Sequence, residues 1–221
     1  MAAVAPVPAV DRPALALARA ALDAAGFGAA GIQAVLGTEG RLLASARQLP
    51  LHRRRALAVD GPLGPLVVLL VLGLELDADT AERALGTAAL DAFAALGVLE
   101  SDGATIRPRC RIVPHDDVLV ASDRSAPAIP GTPAAAVGDG GALHVPGVQP
   151  PSALLARLTV RRPVAAALDM GTGCGIQAIL ASRHAERVVA TDVNERALGY
   201  AEFNFALNGV GNVETRRGSF F

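Results

Sequence analysis

Asp169-Met170-Gly171-Thr172-Gly173-Cys174-Gly175 follows directly on a compact apolar run, Val164 to Leu168, and leads into a helical pattern that begins at Ile176. A compact apolar run bounded by a turn signal reads as a strand. Glycines at alternate positions let the chain turn sharply and bring its backbone close to a ligand with no Cβ intervening. The pattern then repeats: Val188 to Thr191 is a second strand, Asn194 to Leu207 a second long helix, and Asn212 to Arg216 the start of a third strand. Such alternation predicts an α/β fold, a parallel sheet covered by helices that takes ligands at the carboxyl edge of its strands.

A glycine-rich loop at such an edge serves dinucleotides as readily as other nucleoside-type ligands. The dinucleotide pattern G-x-G-x-x-G, set on Gly171 and Gly173, requires glycine at the position of Ile176. Asp169, two residues ahead of the first glycine, would repel a pyrophosphate but attract the ammonium and sulfonium charges of S-adenosylmethionine. The helix after the loop would direct backbone N–H groups at the carboxylate of the same molecule. These residues therefore predict an S-adenosylmethionine loop made by Asp169, Gly171, Thr172, Gly173 and Gly175. Asp192, at the end of the second strand, has roughly the 20-residue spacing at which an acid accepts hydrogen bonds from a ribose. Its alternative role is to cap the helix that starts at Asn194.

Asp169 to Gly175, Thr191-Asp192-Val193-Asn194, Ala197-Leu198, Ala201 to Asn204 and Asn208-Gly209 together resemble class I methyltransferases. Within that class the likeness is to the small methyltransferase domain shared by release-factor glutamine N5-methyltransferases and ribosomal RNA guanine N2-methyltransferases. His144 to Val148 and Arg216 to Phe220 resemble actinobacterial members with an N-terminal extension. The resemblance covers residues 142–221 and implies the N-terminal part of a Rossmann-like class I methyltransferase sheet. It implies S-adenosylmethionine as cofactor, with Val193 beside Asp192 in the site, and a nitrogen acceptor in a protein or RNA. Where relatives carry an acid that accepts from the adenine amino group, this chain has Ser219, whose hydroxyl accepts more weakly. Relatives also carry Asn-Pro-Pro-Tyr/Phe after a fourth strand, and no such tetrapeptide occurs before Phe221. Three strands of a seven-stranded sheet imply a C-terminally truncated domain, with weak or absent cofactor binding and no turnover by these residues alone. No residue of this segment is assigned a catalytic role.

Upstream, Asp11 and Pro13 predict the capped start of an amphipathic helix that Gly26 ends. Shorter helical patterns follow at Ile32 to Leu36, Arg41 to Gln48 and His52 to Val59, and the apolar run Leu66 to Leu74 reads as a buried helix or strand. Asp77 caps a helix to Leu85, and a second runs from Thr87 to Leu96. Extended stretches at Ala104 to Val113 and Val118 to Ala121, turning at Pro114 to Asp117, predict a hairpin, so residues 1–124 read as a mainly helical, winged-helix-like domain. Residues 125–141, rich in Pro, Gly and Ala, read as a linker. Ser152 is the expected cap of a helix through Leu158. A competing function class is a nucleic-acid- or protein-binding winged-helix module with a degenerate methyltransferase remnant.

Composition narrows the partners. A formal net charge of -1 gives no overall field for nucleic acid or anionic membrane, and every basic residue other than histidine is Arg, a usage typical of a GC-rich bacterial genome. Arg53-Arg54-Arg55, near His52 and Arg47, reads as a solvated helix face rather than a phosphate site. Cys110 and Cys174 are too far apart for a metal or redox motif, so no metal is expected and a reducing cytoplasm fits. The longest apolar run is about half of the ~20 residues that span a bilayer, so no membrane partner is expected. His184 reads as a helix-end residue, His115 and His144 as isolated loop residues, Cys174 as a small residue fitting the turn, and Tyr200, Phe203 and Phe205 as core.

Overall fold

The computed structural model describes residues 6–37, 48–124 and 143–219. The expected helix at Arg41 to Gln48 lies outside them except for Gln48, and the 125–141 linker lies outside them entirely. Helix α1 (Arg12–Ala24) starts as its sequence dictates: Asp11 accepts from the Ala14 N–H at 3.0 Å, and Leu15, Ala18 and Leu22 face inward. Helix α2 (Ala29–Leu36) ends at Gly37 in the left-handed conformation. Helix α3 (Leu49–Leu57) holds the three arginines. The apolar run is a helix: α4 (Leu63–Leu66) passes into a wider turn over Val67–Val71, closed by Leu72 N–H on the Val67 carbonyl at 2.9 Å. All five residues of that turn are fully buried, which explains a run apolar on every side.

Strand β1 (Leu76–Asp77) leads through the Asp77 cap into α5 (Ala78–Leu85), followed by α6 (Thr87–Ala95). The next strands differ from the sequence expectation. The stretch read as one strand from Ala104 to Val113 is two, β3 (Thr105–Pro108) and β4 (Cys110–His115), which belong to different sheets. β3 pairs antiparallel with β2 (Leu99–Ser101) on one side and β1 on the other. β4 pairs antiparallel with β5 (Val118–Asp123) across a turn at Asp116, which has a positive φ of 53°. The hairpin that follows the helices and closes on β1 is therefore β2–β3. Arg109 is the break, its N–H turning back to the Val98 carbonyl at 2.8 Å.

Beyond residue 143 the order is α7 (Pro150–Leu158), β6 (Val164–Met170), α8 (Ile176–Ala181), β7 (Ala185–Asp192), α9 (Glu195–Leu207) and β8 (Val213–Arg217). The three strands form a parallel sheet in the order β6-β7-β8, the Rossmann-like start that the alternation predicts. The cap of α7 is corrected: Gln149 stands at the N-cap, and Ser152 lies inside the helix. β6 is an edge of this sheet among the described residues, and Leu168 on it is 60% exposed. Buried apolar residues from both halves of the chain form one contiguous core, from Leu15 and Leu22 through Ile112 and Val120 to Ile179, Tyr200 and Phe203. Burial of that order, at about 25 cal/mol per Å² of apolar surface, is what holds the halves together.

Candidate cofactor site

The strand ends bring the expected residues together. Asp169 is the penultimate residue of β6, Asp192 the last of β7, and Ser219 lies just past β8, so all three stand at the carboxyl edge of the sheet. The loop between them is fixed by its neighbours' backbone. Gly171 and Thr172 N–H groups both donate to the Thr191 carbonyl, at 2.8 and 2.9 Å, and Gly175 N–H donates to the Thr172 carbonyl at 2.8 Å. Gly173 N–H donates to Oδ2 of Asp192 at 3.0 Å, tying the loop to the second strand's acid.

The glycines do different work. Gly171, Gly173 and Gly175 all have positive φ, at 71°, 54° and 83°. A Cβ on Gly171 or Gly173 would meet nothing within 4 Å, so these two border open space where a ligand can approach the backbone. A Cβ on Gly175 would lie 2.8 Å from Phe205 Cε1 and 3.1 Å from Ala201 Cα. The sequence expectation of ligand approach thus holds a correction at Gly175, whose missing side chain admits α9 instead.

Asp169 is half-buried, and its Oδ2 accepts from the Thr172 hydroxyl at 2.6 Å and from Ala178 N–H at 3.1 Å. It therefore caps the first turn of α8 itself, the place expected for an incoming carboxylate. Thr172 is 5% exposed and spends its hydroxyl on Asp169, so its side chain acts through the acid rather than on a ligand. Burial pushes the Asp169 carboxyl above the usual range, opposed by its two hydrogen bonds and reinforced by the nearby Asp192 charge. Two carboxylates facing one open edge, one of them destabilised as an anion, form a place that a cation would relieve.

Asp192 uses one oxygen for each of two backbone donors, Gly173 N–H and Asn194 N–H at 2.9 Å. The capping alternative is thus partly realised, although the cap of α9 proper is the Asn194 side chain, which accepts from Arg196 N–H at 3.0 Å. Each Asp192 oxygen retains a lone pair for a hydroxyl. Gly218 N–H donates to the Asp192 carbonyl at 3.1 Å, which brings Ser219 beside the acid. Val193 is 63% exposed at the same edge and offers an apolar surface there.

Other candidates resolve differently. Cys174 is buried, burial raises its thiol, and its role is packing. Tyr200, Phe203 and Phe205 are core. His144 is not isolated: its Nδ1 lies 3.8 Å from Asp123, which also accepts from Arg196 at 2.6 Å and the Tyr200 hydroxyl at 2.8 Å. Arg55 donates to the Leu36 carbonyl at 2.8 Å at the end of α2, while Arg53 and Arg54 are exposed. Sequence reasoning missed Asn204, buried on α9, which donates to the Cys174 carbonyl within the loop at 2.8 Å. An asparagine inside an apolar helix, a poor helix former that is costly to bury, was the available signal. Among the described residues no group of His, Cys, Asp and Glu is arranged to hold a metal, and no single helix is long and apolar enough to cross a membrane.

Residues 153–217 match the family described as ribosomal protein L11 methyltransferase (PrmA), and residues 24–109 match a domain of unknown function (DUF7059). The chain is 45% identical over 51 residues to the ribosomal protein L11 methyltransferase of Lactobacillus johnsonii and 47% identical over 51 residues to that of Lactobacillus gasseri. Each alignment covers 23% of this chain and 16% of the relative. A ribosomal protein L11 methylase structure from Lactobacillus delbrueckii subsp. bulgaricus is 36% identical, covering 28% of this chain and 33% of that one, with a TM-score of 0.26. The chain therefore spans a small part of the length of the curated relatives it matches. The family model and the curated relatives support a class I methyltransferase and do not extend to the small-domain subtype or the actinobacterial type.

Proposed function

We propose that this chain carries the cofactor half of an S-adenosylmethionine-dependent methyltransferase whose acceptor is a nitrogen in a protein. The carrying observation is the pairing of Asp169 and Asp192 across the open backbone of Gly171 and Gly173. The residues fit the cofactor: both hydrogen bonds to the Asp169 carboxylate fall on Oδ2, which leaves Oδ1 to serve an ammonium or sulfonium. Asp192 retains acceptor capacity for ribose hydroxyls, Val193 supplies an apolar contact, and Ser219 serves the adenine edge. When bound, the cofactor supplies an electrophilic methyl and its own leaving group, so the protein's task is to position and exclude water. The chain's own residues then act as positioners: Thr172 orients Asp169, and Gly173 N–H orients Asp192. The relatives' printed substrate, a ribosomal protein, favours a protein acceptor over RNA.

The competing nucleic-acid module is disfavoured by the helix and hairpin with which a winged helix would meet phosphate. α6, the helix before the β2–β3 hairpin, has the sequence TAALDAFAA, carries no basic side chain and packs against α1. The hairpin's Arg107 and Arg109 are paired with Glu75, Asp102 and Glu100. Phosphate binding depends on unneutralised Arg and Lys, and this surface presents little of either.

Calorimetric titration of the full-length protein with S-adenosylhomocysteine tests the proposal. Binding that weakens at least about tenfold in Asp192→Ala, the loss of one or two charge-assisted hydrogen bonds, supports it. No binding by the wild-type protein sinks it. Transfer of labelled methyl to ribosomal proteins rather than to RNA then decides the acceptor class.

A further inference from the structure

We propose that Asn204 is a positioning residue through which the N-terminal half of the chain sets the conformation of the glycine loop; its value for cofactor binding rests on the reading above. β5 lies along α9 in a regular register. Leu119 of β5 meets Asn208, Ala121 meets Asn204, and Asp123 meets Tyr200 and Arg196. A step of two residues along a strand covers about 6.7 Å and a step of four along a helix about 6 Å, so one side chain per helical turn reaches every second strand residue.

Two of these rungs replace a missing strand partner. Asn204 Oδ1 accepts from Ala121 N–H at 2.7 Å while its Nδ2 donates to the Ala121 carbonyl at 2.9 Å. Asn208 does the same for Leu119, at 3.0 and 2.8 Å. Each amide thus satisfies both main-chain groups of one β5 residue, which an apolar helix face would leave unpaired.

The two asparagines differ in their second donated hydrogen bond. Asn208 returns its own to the Asn204 carbonyl within α9, at 2.7 Å. Asn204 gives its own to the Cys174 carbonyl, at 2.8 Å, between the glycine that borders open space and the glycine that packs on α9. The loop's other main-chain anchors are to Thr191, Thr172 and Asp192, all within the parallel-sheet half. Asn204 is fully buried with all its hydrogen-bonding groups used, so moving β5 moves the loop carbonyl with it. Asn208 provides an internal control with the same chemistry and no contact to the loop.

The test compares Asn204→Asp with Asn208→Asp, which keep shape and the acceptor for the β5 N–H but replace the donating amide with an oxygen that faces the two carbonyls. Amide hydrogen exchange is followed by mass spectrometry without ligand, alongside S-adenosylhomocysteine titration. Both variants are expected to speed exchange in residues 118–123. Only Asn204→Asp is expected to speed exchange in residues 171–178, by about tenfold, and to weaken ligand binding by a similar factor, the scale of one buried hydrogen bond. Unchanged loop exchange in Asn204→Asp overturns the inference, as does equal loop exchange in the two variants. If Asn204→Asp does not fold, Asn204→Ser, too short to span from Ala121 to Cys174, is read by the same criterion. Absence of ligand binding by the wild type counts against the cofactor reading alone, because the exchange comparison is made without ligand.

Discussion

At the scale of single residues, Asp169, the carboxylate proposed to face the cofactor, carries an electrostatic cost. Its pKa is raised by burial and by Asp192, so the folded chain holds a proton on it more readily than the unfolded chain does. Stability from this group is present below the ordinary carboxylate pKa and is lost as pH rises through the raised folded value. At neutral pH the ionised form is therefore a local expense, which the proposed cofactor role accounts for. Both of its hydrogen bonds fall on Oδ2, so an asparagine side chain with its carbonyl oxygen in that place would keep them. Asp169→Asn is expected to raise the melting temperature of the ligand-free protein at pH 7 while weakening S-adenosylmethionine binding at least about tenfold, because a neutral amide replaces the counter-charge. Wild-type affinity is expected to fall as pH drops into the raised range of Asp169, and titration in the variant to lack that dependence. A variant that binds as tightly as wild type at pH 7 would remove Asp169 from the site.

At the scale of elements, the loop is a joint between β6 and α8 whose glycines answer to different neighbours. Positive φ alone costs an L-residue about 1–2 kcal/mol, the penalty expected for Gly173→Ala. Gly175→Ala adds contacts of 2.8 Å to Phe205 and 3.1 Å to the Ala201 backbone, so α9 must shift away from the loop. Its destabilisation is expected to exceed that of Gly173→Ala by about 1–3 kcal/mol, the range of overpacking in a core. Urea denaturation of the two variants, compared at equal m, reads this difference. The ordering for ligand affinity per unit of lost stability should reverse, since Gly173 borders the open edge. Equal destabilisation would mean that α9 yields freely at Phe205. The hairpins carry a similar lesson: Arg109, directly after Pro108, divides one extended stretch between two sheets, and although the proline marks a break locally, nothing local says which strands each part pairs with.

At the scale of the whole molecule, the halves are joined by packing and by a buried polar cluster. Asp123, at the end of β5, accepts from Arg196, from the Tyr200 hydroxyl and from Val145 N–H at 2.9 Å. Arg196 is 15% exposed in its side chain and lies 5.8 Å from the Tyr200 ring, so removing Asp123 leaves a shielded cation without its counter-charge. Asp123→Ala is expected to cost about 3 kcal/mol. Tyr200 is the single tyrosine of a chain without tryptophan, so its fluorescence reports on this joint. In the variant that signal should change at lower urea than the far-ultraviolet circular dichroism, whereas coincident transitions would show that the shared apolar core suffices to couple the halves. The sequence by itself determined the parallel α/β unit and the edge residues Asp169, Gly171, Gly173 and Asp192, because alternating apolar runs and a turn that only glycine tolerates are local properties. It also marked Asp11 and Asp77 as helix caps, for the same reason, whereas for α9 it offered Asp192 and the structure puts Asn194 there. Only the tertiary structure decided that Gly175 is vacant for α9, that Thr172 serves Asp169, that the hairpin closing on β1 is β2–β3, and that Asn204 and Asn208 complete β5. Each of those depends on which segment, distant in sequence, arrives opposite a given main-chain group, and no periodicity in the chain encodes that arrival.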